Sequence, residues 1–130
     1  MNLAKRFLAL SCALLLAGCE GDPKVQRDKY FNSAQQYFRY GKYQEASIQY
    51  RNALRVDQGH VPSILGLART FQQLGDHQNA MATFRRVLDL DGANTEAKLY
   101  LGKYFLAGGI HNQELFKRAQ QYAEEILAVE

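Results

Sequence analysis

The chain predicts an all-α fold of stacked helical pairs, on three observations. Residue types return thirty-four positions apart: Ala46 with Ala80, Tyr50 with Phe84, Leu54 with Leu88, Val56 with Leu90 and Asp57 with Asp91. Between these recurrences, apolar residues fall at intervals of three and four, which gathers them on one helical face. A glycine also ends each first half-unit in the same phase, at Gly41, Gly75 and Gly109. A period of this length marks a supersecondary unit that buries its apolar face only by stacking on its neighbours.

The N-terminus has a different pattern. Lys5 and Arg6 precede a short apolar run, Phe7 to Ala17, which is too short for a comfortable membrane span and has the order of an export signal. The run closes on Leu16-Ala17-Gly18-Cys19, which resembles a bacterial lipobox. The resemblance implies a signal peptide over residues 1–18, cleavage before Cys19 and acylation of the Cys19 thiol and the new amino group. Each buried acyl methylene contributes about 0.8 kcal/mol, so such an anchor is effectively permanent. The chain's two cysteines are Cys12, inside the signal, and Cys19, so no disulfide is expected in the mature protein. Glu20 to Gln26, with Gly21 and Pro23 as breakers, is expected to form a tether over residues 19–26.

Three repeats are expected, at 27–60, 61–94 and 95–130. The first has a helix near 28–40, with Tyr30, Ser33, Ala34, Tyr37 and Phe38 on one face. Gly41 turns the chain into a second helix near 43–56, faced by Ala46, Tyr50, Ala53 and Leu54. In the second repeat Pro62 suits a first helical turn. Leu67, Ala68 and Phe71 line its first helix, Gly75-Asp76 makes the turn, and Ala80, Phe84, Val87 and Leu88 line its second helix. Thr95, followed by Glu96, is expected to cap the next helix. The third repeat keeps phase through Leu101, Gly102 and Phe105. About five inserted residues then bring Ala119, Ala123, Ile126 and Leu127 into phase with Ala80, Phe84, Val87 and Leu88. Ile110 to Leu115 forms the longer turn or an early extension of the last helix.

The period, with small and aromatic residues at fixed phases, resembles the tetratricopeptide (TPR) repeat. The resemblance implies a right-handed α-solenoid whose first helices line a concave groove. In phase with that groove stand Phe31, Gln35, Phe38 and Arg39; Leu65, Arg69, Gln72 and Gln73; and Leu99, Lys103 and Leu106. Phe31, Gly66 and Leu99 occupy positions where a carboxylate-clamping TPR would carry polar residues, so that specificity is not expected. The groove instead reads as an apolar strip with basic flanks, suited to an apolar or amphipathic segment of another protein.

Other chemistries find little support. Sixteen basic residues face 13 acidic ones, and Lys5 and Arg6 belong to the signal, so charge gives no case for nucleic-acid binding. No phosphate-cradling glycine loop or nucleophile triad is present, and no enzyme activity or cofactor is expected. Tyr43, His77 and His111 share one repeat phase, which reads as an aromatic packing position in preference to a metal site. His60, Asp89/Asp91 and Glu124/Glu125 are expected to be solvated, and Arg51, Arg55, Arg85, Arg86, Lys117 and Arg118 to lie on outer faces. Ala123, Ile126 and Leu127 form an uncovered apolar edge. Either the array continues beyond Glu130, the preferred reading, or a partner or second copy covers that edge.

Together the lipobox and the repeats resemble bacterial TPR lipoproteins, some of which accompany exopolysaccharide or exosortase-type (PEP-CTERM) sorting systems. The resemblance implies a membrane-tethered scaffold of the cell envelope. Glu20 after Cys19, in place of aspartate, points to the outer membrane. Self-association through the open edge is the alternative role.

Overall fold

Six α-helices follow one another in the computed structural model, which describes residues 21–108 and 112–129. They are α1 (Pro23–Arg39), α2 (Tyr43–Val56), α3 (Val61–Gln73), α4 (His77–Leu90), α5 (Thr95–Gly108) and α6 (Gln113–Leu127). Among the described residues all regular structure is helical. The helices pair as antiparallel hairpins, and the hairpins stack in sequence order to give a helical repeat solenoid. The expected signal peptide, Cys19, Glu20, His111 and Glu130 lie outside the described residues, as do Gly109 and Ile110.

Local chemistry accounts for the boundaries. α1 starts at Pro23, five residues before the expected start, so the second half of the supposed tether is helical. The cause is an N-cap: Asp22 Oδ1 accepts from the Lys24 amide at 2.9 Å, and proline costs nothing at the first position because its missing N–H is unpaired there anyway. The turns into α2 and α4 rest on Gly41 (φ 71°) and Gly75 (φ 74°), left-handed positions that glycine adopts without strain. Asp76 caps α4 by accepting from the Asn79 amide at 3.1 Å. The cap of α5 is Asn94, not Thr95. Asn94 Oδ1 accepts from the Ala97 amide at 3.1 Å, while its Nδ2 donates to Asp91 at 3.0 Å and so fixes the amide's orientation. Asn112 caps α6, accepting from Glu114 and Leu115. The last helix therefore begins at Gln113, and Gln113 to Leu115 form a helical extension.

One continuous core runs along the stack. Ala34 and Ala46 are fully buried where α1 crosses α2, Ala68 and Ala80 where α3 crosses α4, and Ala119 is buried between α5 and α6. Small residues at these phases let the helix axes approach closely. Around them pack Tyr50, Ile64, Phe71, Phe84, Val87, Leu101 and Phe105.

The junctions between repeats obey the same period as the sequence. Tyr50 of α2 lies against Gly66 of α3, so closely that a Cβ at Gly66 would fall 2.3 Å from the ring. In the same phase one repeat later, Phe84 stacks on Tyr100 with centroids 4.3 Å apart. Arg51 lies over the Phe71 ring at 5.5 Å and Arg85 over Phe105 at 5.6 Å, again in phase. These arginines are exposed as expected, yet each spans a junction as a cation–π contact.

Two polar positions differ from the sequence reading. His60 is half-buried, not freely solvated. Its ring meets Phe31 edge-on at 5.2 Å, and its Nδ1 is 2.7 Å from the hydroxyl of fully buried Ser63. Burial, with Arg27 nearby, holds the imidazole below its ordinary pKa. Glu125 is also no idle surface acid. It lies 2.9 Å from Lys98, whose side chain is only 10% exposed at a phase held by Ile64 in the preceding repeat. The Lys98 hydrogen bond, with help from Gln121, pulls the Glu125 carboxyl below its usual range.

Candidate interaction site

The expected groove residues do not form one strip; the structure divides them into three groups. Phe31 and Leu65 pack against the core, Phe31 between Tyr50 at 6.1 Å and His60. Their apolar area is largely spent on folding and offers little to a ligand. Phe38 stays half-exposed, held edge-on by Tyr43 at 5.3 Å, and lines a cavity of about 280 Å³ with Gln35, Arg39, Tyr50 and Arg69. Gln72 and Gln73 are exposed near the end of α3. Leu99, Lys103 and Leu106 belong elsewhere, to a cavity between α5 and α6.

The first cavity is mixed in character. Phe38 supplies an apolar wall and Arg39 an exposed cation. Tyr50 contributes a phenol whose pKa burial pushes up, so it stays protonated and can donate. Arg69 is not the free basic flank that the sequence suggested. Its guanidinium forks onto Glu96 of α5, with Nε donating to Oε1 at 2.6 Å and an Nη donating to Oε2. Such bidentate pairs combine charge with fixed geometry. Arg69 thereby ties the second repeat to the third.

The second cavity, of about 570 Å³, opens between α5 and α6. Its walls are Leu99, Gly102, Leu106, Phe116, Ala123 and Ile126, with Lys98, Lys103 and Gln120 among the few polar groups. Phe116, in the first turns of α6, is 50% exposed and Leu127, at its end, 68%, so large apolar side chains stand open along the helix. The edge expected at Ala123, Ile126 and Leu127 and the third part of the expected groove are thus a single apolar surface. Sequence phase places these residues on two faces; the pairing of α5 with α6 brings them around one cavity.

Of the two described residues at the shared histidine phase, Tyr43 is half-buried and His77 is exposed. Tyr43 packs on Phe38, and His77 Nδ1 is 3.4 Å from the Tyr100 hydroxyl. Among the described residues no three His, Cys, Asp or Glu side chains cluster as a metal site requires. No described helix is long and apolar enough to cross a membrane. Among the described residues every buried side-chain nitrogen and oxygen has a hydrogen-bond partner.

Comparison with known proteins agrees with this geometry. Residues 61–94 match the family model of the tetratricopeptide repeat, the same bounds as the second repeat in the sequence. The whole stack is similar to a solved structure described as the second TPR of Spaghetti (RPAP3) bound to the HSP90 peptide SRMEEVD. That likeness has a TM-score of 0.67 and 20% identity, over 81% of this chain and 93% of the other. No curated protein is detectably similar in sequence. At that identity the likeness concerns the fold. The described chain is an all-helical repeat solenoid that carries a tetratricopeptide repeat at residues 61–94.

Proposed function

We propose that the chain is a protein-interaction scaffold, tethered to a bacterial membrane through acylated Cys19, that holds an amphipathic segment of an envelope protein in the cavity between α1 and α3. The observation that carries this reading is Phe38, a half-exposed aromatic side chain in a concave site beside Arg39 and the Tyr50 phenol. An apolar side chain of the ligand would cover Phe38, and an acidic neighbour would meet Arg39. The solved TPR neighbour, bound to SRMEEVD, supports the use of such stacks for short acidic segments. The clamp phases here hold Phe31, Gly66 and Leu99, so recognition of a terminal carboxylate is not carried over.

The lipid tether rests on the order of Lys5-Arg6, the apolar run and Leu16-Ala17-Gly18-Cys19. It would act by confining the cavity to one surface, raising the effective concentration of partners there. Envelope assembly, export or exopolysaccharide-linked sorting is the setting implied, on the outer membrane by the residue after Cys19.

The test has two arms. Cys19→Ala should abolish incorporation of labelled palmitate and move the protein from the membrane to the soluble fraction; unchanged fractionation would refute the tether. Phe38→Ala should remove the co-purifying partner from detergent-solubilised membranes while helicity by circular dichroism is retained. Undiminished co-purification would refute the concave site.

A further inference from the structure

We infer that the cavity between α1 and α3 selects the side-chain carboxylate of an aspartate or glutamate in a bound peptide segment, and that the Tyr50 hydroxyl is the donor that recognises it. The inference rests on the reading of that cavity as an interaction site and names the chemistry the site selects.

Tyr50 belongs to the core by its ring and to the cavity by its oxygen. The residue is only 4% exposed, yet it lines the cavity together with Gln35, Phe38, Arg39 and Arg69. Among the described residues its hydroxyl makes no hydrogen bond, whereas every fully buried side-chain nitrogen and oxygen makes one. The oxygen is therefore among the few atoms of Tyr50 that stay accessible. Gly66 opens the passage. A Cβ there would fall 2.7 Å from the hydroxyl oxygen and 2.3 Å from the ring, so any larger residue in α3 would obstruct the phenol's reach. The hydroxyl thus brings to the cavity a hydrogen to give and no protein acceptor to take it.

The charges around it specify the acceptor. Gln35, Phe38 and Arg39 stand at i, i+3 and i+4 of α1 and so share one helical face. Among the described residues Arg39 has no carboxylate within ion-pair distance. Arg69 spends Nε and one Nη on Glu96, which fixes its guanidinium and leaves the other Nη free to donate. Because Glu96 offsets Arg69, the cavity holds one uncompensated positive charge, that of Arg39. Such a site suits a monoanion that accepts from several donors at once, as a carboxylate does. A side-chain amide would turn its own N–H groups toward those donors. A phosphoryl group, with close to two negative charges, would exceed the single free cation and compete with Glu96 for Arg69. Phe38 sets the neighbour: an apolar residue beside the acid would cover its ring.

The test uses the full chain and three blocked dipeptides, acetyl-leucyl-glutamyl amide, its glutaminyl counterpart and its phosphoseryl counterpart, followed by NMR chemical-shift titration. The glutamyl peptide should shift the Phe38 and Arg39 signals saturably. The glutaminyl peptide should bind about tenfold more weakly, the scale of a lost hydrogen bond to a charged acceptor. Tyr50→Phe keeps the ring and removes only the oxygen. It should weaken the glutamyl peptide by a similar factor, spare the glutaminyl one and leave the urea midpoint unchanged, whereas a hydroxyl with a structural role would lower the midpoint and not the affinity. Arg39→Gln, at an exposed position, should weaken the glutamyl peptide too. Equal binding of the glutamyl and glutaminyl peptides, an affinity indifferent to Tyr50→Phe, or tightest binding of the phosphoseryl peptide overturns the carboxylate assignment and leaves the cavity standing as a docking site. No saturable shift with any of the three removes the cavity as a site, and the inference with it.

Discussion

Gly66 and Gly102 are both glycines in helix interiors, and their surroundings give them opposite roles. A Cβ at Gly66 meets the Tyr50 ring at 2.3 Å, and the ring cannot swing aside because it is buried between α1 and α3. Gly66→Ala should therefore destabilise the fold by about 1–3 kcal/mol, the usual cost of overpacking, read as a lower urea midpoint. At Gly102 the same Cβ would lie 3.7 Å from Tyr122, an ordinary contact. Gly102→Ala should stabilise by about 0.5–1 kcal/mol through helix propensity. Lys98 is a third residue whose phase and chemistry disagree. Lys98→Ile, the residue of the preceding repeat, is expected to be tolerated, whereas Glu125→Ala leaves a buried ammonium unpaired and lowers the denaturation midpoint. In the sequence Gly66 stood out only as an absent clamp residue, since the Tyr50 contact crosses a junction that spacing alone does not measure. Lys98, a cation in phase with Ile64, is a signal that the repeat reading passes over, and only the structure shows that Glu125 pairs with it.

At the level of elements the repeat phase was a good guide to helix type and a poorer one to helix ends. The turns at Gly41 and Gly75 follow from positive φ, which the recurring glycine announces. The start of α1 falls earlier than the repeat phase predicts because aspartate followed by proline, a breaker by composition, is in that order a cap followed by a tolerated first residue. The start of α5 slipped by one because asparagine and threonine are both good caps, and only the bond from Asn94 to Asp91 decides between them. α6 depends most on its cap, since its outer face has no neighbour among the described helices. Asn112→Ala should cost about 1 kcal/mol and show first as faster amide exchange in the opening turn of α6.

For the whole molecule, acid is the sensitive variable. His60 is held below its ordinary value of 6.5 by burial, so the folded form binds that proton less readily than the unfolded chain. Its contribution is complete above the ordinary value and is lost as pH falls through the depressed one. Asp57, Asp76 and Glu125 are depressed by the Arg27, Asn79 and Lys98 hydrogen bonds respectively, so their contributions disappear in a second, lower window. The urea midpoint should fall between about pH 7 and pH 5, then again below about pH 4. His60→Gln should flatten the first step and leave the second. The candidate sites were legible as residues more than as surfaces. Phase found Phe38, Arg39, Leu99 and Lys103, but it could not show that Arg69 is occupied by Glu96 or that the last two share a cavity with α6. Those facts depend on which neighbour each helix has.

The polar outer face of α1 has a temporal consequence. Lys29, Asn32 and Gln36 let that face of the first hairpin stand exposed to water with no described helix packed on it. Every later hairpin docks on one already made, and nearly all contacts join helices adjacent in sequence. A ribosome or a translocation pore delivers the chain in that same order. Each hairpin can thus settle on a finished predecessor while the next is still emerging, so folding keeps pace with delivery and little apolar surface waits uncovered.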